Sequence, residues 1–286
     1  MRTELENLRL ALTARERKSP VTIKNYLIAA NRFLDFAGNK LPPSERKLRQ
    51  FFARQKKDDI GPRTQNYYFI VIQQLYQANS WVWPLSRKDR PEIPESLPIN
   101  VFTVDEIKTL VENQHNYSKE ERFYLALATT FGMSRPELAK VTSKDIKNGK
   151  LYIKPIRHGK GRWTVIPPEI MPAVKEYSPK ELSTSTLSVI FKRILTKAGL
   201  EGTKGYSWFS IRTALLERLR FALAQNELPI DLADKYLRFR ETTIRARYPA
   251  MAYMVGDKNI TSLLQRPFIL DTVLLPIHPF IRFWQS

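Results

Sequence analysis

Four prolines, at 84, 91, 94 and 98, fall in the twenty-residue stretch WVWPLSRKDRPEIPESLPIN, residues 81–100. Proline fixes φ and carries no amide hydrogen, so neither a helix interior nor a central strand can run through such a segment. It reads as an extended connection between two parts, each of which must bury its own core. The chain therefore divides into a helical N-terminal domain (1–83), a linker (84–100), a second domain (101–255) and an apolar C-terminal tail (256–286).

The first part has helical spacing throughout. Leu5, Leu8 and Leu12 form one stripe, and Ile23, Tyr26, Leu27, Ala30, Phe33, Leu34 and Ala37 form another, with Ser19 as its cap and Gly38 as its stop. Helices are also expected over 44–55 and 63–79, set off by Pro42-Pro43 and Gly61-Pro62. In the second part, Thr103 and Glu106 have the spacing of a capping box. Helices should follow at 104–114 and 119–131, with a short one from Arg135 to about Val141. The period then changes: 150–154 and 163–167 read as two strands joined by a basic turn. Helices return at 185–198, 207–226, 229–238 and 241–248. The fold class is mainly α with a small β-hairpin sheet, in two domains.

Composition narrows the function. Lys and Arg number 47 against 28 Asp and Glu, a net charge of +19, and both parts are basic. Charge of that size favours a polyanionic partner, and nucleic acid is the commonest. With no cysteine there is no disulfide, thiol nucleophile, thiolate zinc site or iron–sulfur cluster. The only histidines, His115, His158 and His278, are scattered, which argues against a His-rich metal site. The first residues alternate charge without an apolar run, and no stretch has the 18 or so apolar residues that would span a membrane. The expectation is a soluble cytoplasmic protein associated with DNA.

Four segments carry candidate chemistry. Leu237 to Tyr248 reads LRFRETTIRARY and ends in a tyrosine among Arg238, Arg240, Arg245 and Arg247. Trp208 to Leu215 reads WFSIRTAL, with Arg212 lying 36 residues before Tyr248. Arg157 to Arg162 reads RHGKGR, a basic turn around Lys160. Gly132 to Leu138 reads GMSRPEL. These segments, in this order behind a helical domain and a proline-bearing linker, resemble the tyrosine recombinase or phage-integrase family, of Xer or archaeal-integrase type. The resemblance covers roughly residues 15–255. The corresponding family patterns are L-G-H-x-x-x-x-T-x-x-Y, H-x-L-R-H, G-K-G and G-x-R-x-x-E-L.

The resemblance implies a clamp on duplex DNA, with no cofactor and no metal. Tyr248 would attack phosphorus to give a 3′-phosphotyrosine, Arg212 and Arg135 would hold the nonbridging oxygens, and Lys160 would protonate the leaving oxygen. Arg135 lies one place beyond the pattern's arginine, which falls on Ser134; Glu137 would be its structural partner. Phe209, Thr213 and Phe239 stand where the family has His, His, and His or Trp. Phenylalanine cannot exchange a proton. Trp208, Ser207, Lys235 and His158 are the candidate replacements. Further DNA contacts are expected from Arg15, Arg17, Lys18, Lys24, Arg54, Lys57, Arg63, Arg162, Arg238, Arg240 and Arg245.

Three functions remain open at this point. The first is site-specific recombination or integration, by a tetramer assembled on DNA. The second is a catalytically silent relative that binds DNA as an accessory protein, which Phe209 and Phe239 favour. The third is a basic helical regulator unrelated to recombinases. The tail, with Pro267, Pro276 and Pro279 among many large apolar residues, must be buried, on its own domain or on a partner.

Overall fold

Ser19, Ser44 and Gly61 each stand immediately before a helix in the computed structural model. The structure describes residues 2–14, 18–38, 40–93, 100–156, 161–202, 205–238 and 269–285. It divides into two compact units, Met1–Leu97 and Pro98–Ser286.

The first unit contains α1 (Thr3–Ala14), α2 (Pro20–Ala37), α3 (Glu45–Lys57) and α4 (Pro62–Ala78). The Ser19 hydroxyl accepts from the Thr22 amide, satisfying one of the free donors at the start of α2, and Pro20 occupies a position whose amide has no helical partner. Helix α4 lies on α1 and α2 and buries Tyr68, Phe69, Val71, Ile72, Leu75 and Tyr76. Phe51 of α3 meets Phe33 and Tyr68 edge-on, with ring centroids 5.2 and 5.5 Å away. The proline-bearing stretch starts by sealing this unit. Trp81 and Trp83 turn back onto Tyr76 at 5.3 and 5.2 Å, Leu85 is buried, and Asp89 and Arg90 bond to Arg49 and Asn66.

The second unit is built round a helix without a polar face. Helices α5 (Val104–Glu112) and α6 (Lys119–Phe131) both start with a closed capping box, Thr103/Glu106 and Ser118/Glu121. From Phe123 to Phe131 every residue of α6 is buried, as in a helix covered on all sides. Around it stand α7 (Arg135–Ala139), α8 (Met171–Lys175), α9 (Thr184–Lys197), α10 (Trp208–Gln225), α11 (Asp231–Tyr236) and α12 (Ile269–Leu274). The sheet has three antiparallel strands, β1 (Ile146–Lys147), β2 (Lys150–Ile153) and β3 (Arg162–Val165), in that order. Leu151 pairs with Thr164, and both side chains face inward with Ile153. The two expected strands are present. The third, β1, is two residues long, too short to show an alternation. The expected helix over 241–248 lies outside the described residues. No helix among the described residues is long and apolar enough to cross a membrane.

Residues 269–285 pack on their own unit and join its core. Asp271 accepts from the Thr164 hydroxyl at 2.6 Å and the Val165 amide at 3.2 Å, clipping α12 to β3. Phe280 and Trp284 are buried, and the Trp284 indole N–H reaches the Thr129 hydroxyl. His278 is a neutral link: its Nε2 donates to the Thr130 carbonyl at 2.9 Å, and its Nδ1 accepts from the amides of Phe280 and Ile281. Burial holds its pKa down at about 4, against 6.5 for an ordinary histidine.

A folded-state pKa below the unfolded one means that the unfolded chain binds the extra proton. Stability is then complete above pH 6.5 and lost as the pH falls toward 4. The expected loss over that window is roughly 3 kcal/mol from this one group. Urea melts of wild type and His278→Gln at pH 7 and pH 4.5 check it: the variant should be less stable at pH 7 and lose less on acidification.

Candidate functional site

The site begins where α6 stops. Gly132 ends that helix with φ +53°, a left-handed conformation that suits glycine. A Cβ there would lie 2.2 Å from the Leu237 side chain, so glycine is needed for space as well. The turn then delivers Ser134, Arg135 and Glu137 to the start of α7. Glu137 is turned inward: its Oε2 accepts the Ser134 amide at 2.7 Å, which caps the helix.

Two arginines converge on the same carboxylate. Arg212, on α10, donates from Nη1 to Glu137 at 3.2 Å and to the Gly132 carbonyl at 2.6 Å, and from Nη2 to the Leu237 carbonyl. Arg238, just beyond α11, donates from Nε and Nη2 to the two oxygens of Glu137, at 2.8 and 3.2 Å. All three side chains are largely buried, Glu137 and Arg212 at 7% exposure and Arg238 at 13%. Burial would push the Glu137 carboxyl up; the charge and hydrogen bonds of Arg238, then Arg212, outweigh it and hold the pKa at about 2. Burial, then repulsion from Arg238, lowers Arg212 to about 10, offset in part by Glu137, so it stays a cation at neutral pH.

Arg135 goes elsewhere. It is exposed, and its Nη1 donates to the Ser188 hydroxyl on α9 at 2.8 Å. With Lys192, Tyr206, Ser207, Trp208 and Phe209 it lines a cleft of about 560 Å³. Glu137, expected as the partner of Arg135, instead holds Arg212 and Arg238. The cause is the serine N-cap: it places residue 135 on the outer side of the first turn and residue 137 on the inner side.

Arg162 and Arg238, expected as DNA contacts, both turn inward. Arg162, on β3, lies 4.7 Å over the Tyr236 ring and 3.8 Å from Asp271, with its side chain 20% exposed. Burial lowers its pKa. The reason is local: β3 pairs with β2 so that residue 162 reaches under α11 and α12, where Tyr236 and Asp271 give it a π-face and a carboxylate. Among the candidate replacement donors, Trp208 is buried and its indole N–H is committed to the Leu187 carbonyl at 2.8 Å. Lys235 is paired with Asp231 at 2.9 Å. Phe209 lies at the cleft edge with 36% exposure. In the first unit, Lys24, Arg54, Lys57 and Arg63 are exposed and Lys18 is half-buried. Tyr248, Lys160, Arg15, Arg17, Arg240, Arg245, His158 and Phe239 lie outside the described residues.

Removing Glu137's charge leaves two buried cations facing each other. Glu137→Gln should cost about 3 kcal/mol, the usual scale for breaking a buried pair on one side. Arg135→Ala, at an exposed position, should stay within about 0.5 kcal/mol of wild type. Chemical denaturation of the two variants measures both. Stability held by Glu137 is present above pH 4.5 and lost as the pH falls toward 2, so the Gln variant should show a flatter acid limb there.

No family model matches the sequence, and no curated protein matches it. Solved structures do. One is lambda integrase (75–356) as a dimer bound to a COC′ core site, at 14% identity and TM-score 0.65, covering 85% of this chain and 96% of that one. Another is the Tn1549 transposon integrase with circular intermediate DNA, at 13% identity and TM-score 0.60, covering 86% and 94%. A third is the XerH site-specific recombinase bound to difH substrate, at 15% identity and TM-score 0.58, covering 87% and 84%. The chain has the mainly helical fold of these recombinases, with the small antiparallel sheet of their catalytic domains.

Proposed function

We propose that the protein binds duplex DNA and carries out site-specific strand exchange through a 3′-phosphotyrosine, slowly compared with enzymes that have the full donor set. One observation carries this reading: a chain of net charge +19, with the fold of DNA-bound integrases, buries Arg212 against Glu137 at the place where their sequence pattern has a phosphate-binding arginine.

The step is as follows. Tyr248, its phenolic proton released to water, attacks phosphorus, forming the P–O bond to tyrosine and breaking the P–O5′ bond. Lys160 gives its proton to the departing 5′-oxygen. Guanidinium groups hold the nonbridging oxygens, which gain charge in the transition state. A 5′-hydroxyl from another strand then reverses the step, so neither metal nor cofactor enters. Exchange between two duplexes requires protomers assembled as a tetramer. Phe209 and Phe239 supply no proton, and each missing donor costs on the order of 10²–10³ in rate.

A second reading is the silent relative that only binds DNA. Phe209, exposed at the cleft edge, and Arg135, turned to Ser188, both favour it. A duplex nicked near the bound site separates the two. Strand exchange predicts a covalent protein–DNA adduct that Tyr248→Phe abolishes; specific binding with no adduct from wild type leaves only the silent relative. Lys24→Ala, Lys57→Ala and Arg63→Ala should each reduce the slope of log affinity against log salt by about 0.9 per lost phosphate contact. An unchanged slope in all three removes the first unit from the DNA contact.

A further inference from the structure

Glu137 holds two guanidinium groups although the residue that opens its turn is a serine. The G-x-R-x-x-E-L pattern puts an arginine three places before the glutamate, at Ser134. Arg135, next along, reaches Ser188 instead. The second guanidinium on the carboxylate comes from Arg238, about a hundred residues later, where the L-G-H pattern has glycine.

The backbone records that exchange. Arg238 has φ +59°, in the left-handed region that favours glycine. A large side chain is kept in that conformation only where something holds it. Here Nε and Nη2 fork over both oxygens of Glu137, Nη2 also reaches the Phe131 carbonyl at 3.4 Å, and Nη1 donates to the Tyr236 carbonyl at 3.2 Å. These bonds use four of its five N–H groups and leave one on Nη1.

Among the described residues, Arg212 and Arg238 are paired with Glu137, and Arg162 with Asp271. Arg162 Nε and Nη2 are buried and make no hydrogen bond. Burial and the charge of Arg238 both weigh against the cationic forms of Arg162 and Arg212. Buried guanidinium donors without acceptors are what an anion would settle.

We propose that Arg238 supplies the cation that Ser134 does not, so that Arg212 and Arg238, locked together on Glu137, form the guanidinium pair that receives the DNA phosphodiester, and Arg135 stands outside that pair. This rests on the DNA-phosphate reading given under Proposed function. Arg238 is the phosphate-holding residue; Glu137, acting through it, is a positioning residue.

The test uses the full-length protein and a duplex selected by it from a random pool, with single phosphates replaced in turn by neutral methylphosphonate. Wild type should lose at least tenfold in affinity at one linkage, and Arg238→Gly, which fits the left-handed backbone, should be indifferent to that linkage. Arg238→Asn, which also tolerates φ > 0, should behave the same way. Arg238→Lys should not restore the discrimination, because a point charge cannot fork over Glu137. Ser134→Arg combined with Arg238→Gly should restore it, and Arg135→Ala should leave it unchanged. If adducts form, Arg238→Gly should slow them by about 10²-fold or more at a temperature where the variant is still fully folded. Discrimination that survives in Arg238→Gly, or is lost in Arg135→Ala, overturns this inference while leaving the DNA-binding reading intact. A wild type that selects no duplex overturns both.

Discussion

A single carboxylate, Glu137, is the point on which the second unit's interior depends. It lies out of water with one backbone amide and two guanidinium groups directed at it. Each of those donors belongs to a different segment: the turn after α6, the second turn of α10 and the residues just beyond α11. None of the three could be buried as it is without the others, since an isolated internal charge costs several kcal/mol. The arrangement therefore ties the placement of three distant stretches to one another, and apolar packing of α6 fills in around it. The Arg220–Asp234 pair, 2.6 Å apart between α10 and α11, adds a second internal tie.

Much of this was legible from residue order. The Ser19 cap, the proline breaks and the Thr103/Glu106 pair marked helix boundaries because they satisfy, or do not have, amides that a helix leaves free. The stripe of Leu5, Leu8 and Leu12 and the alternation in 150–153 marked buried faces for the same geometric reason. What sequence reasoning could not supply was the direction of long charged side chains. Arg135, Arg162 and Arg238 look alike on paper. One is solvent-facing and two are internal, and the difference is set by which way a cap, a strand register or a left-handed residue turns the chain. The only local hint was Arg238 standing where glycine is expected: a bulky residue in that place needs an internal reason to be there.

The apolar tail illustrates the same limit. Its hydrophobicity demanded a covering surface, but nothing in its own residues said which one. The structure answers with polar anchors rather than with grease alone. Asp271 on β3, His278 on the end of α6 and the Trp284 indole on Thr129 give the tail a single register, while Phe280 and Trp284 supply the buried area. Non-directional burial draws the segment in, and directional bonds decide how it sits.

Because residues 269–285 complete the core around α6, the order of synthesis matters. Met1–Leu97 has all its packing partners in hand early and can close as soon as it leaves the ribosome. The sheet-bearing unit must wait with Thr129, Thr130 and β3 uncovered until more than a hundred further residues have emerged, and contacts that span so much chain close slowly. During that interval its half-built interior is the surface a chaperone would see.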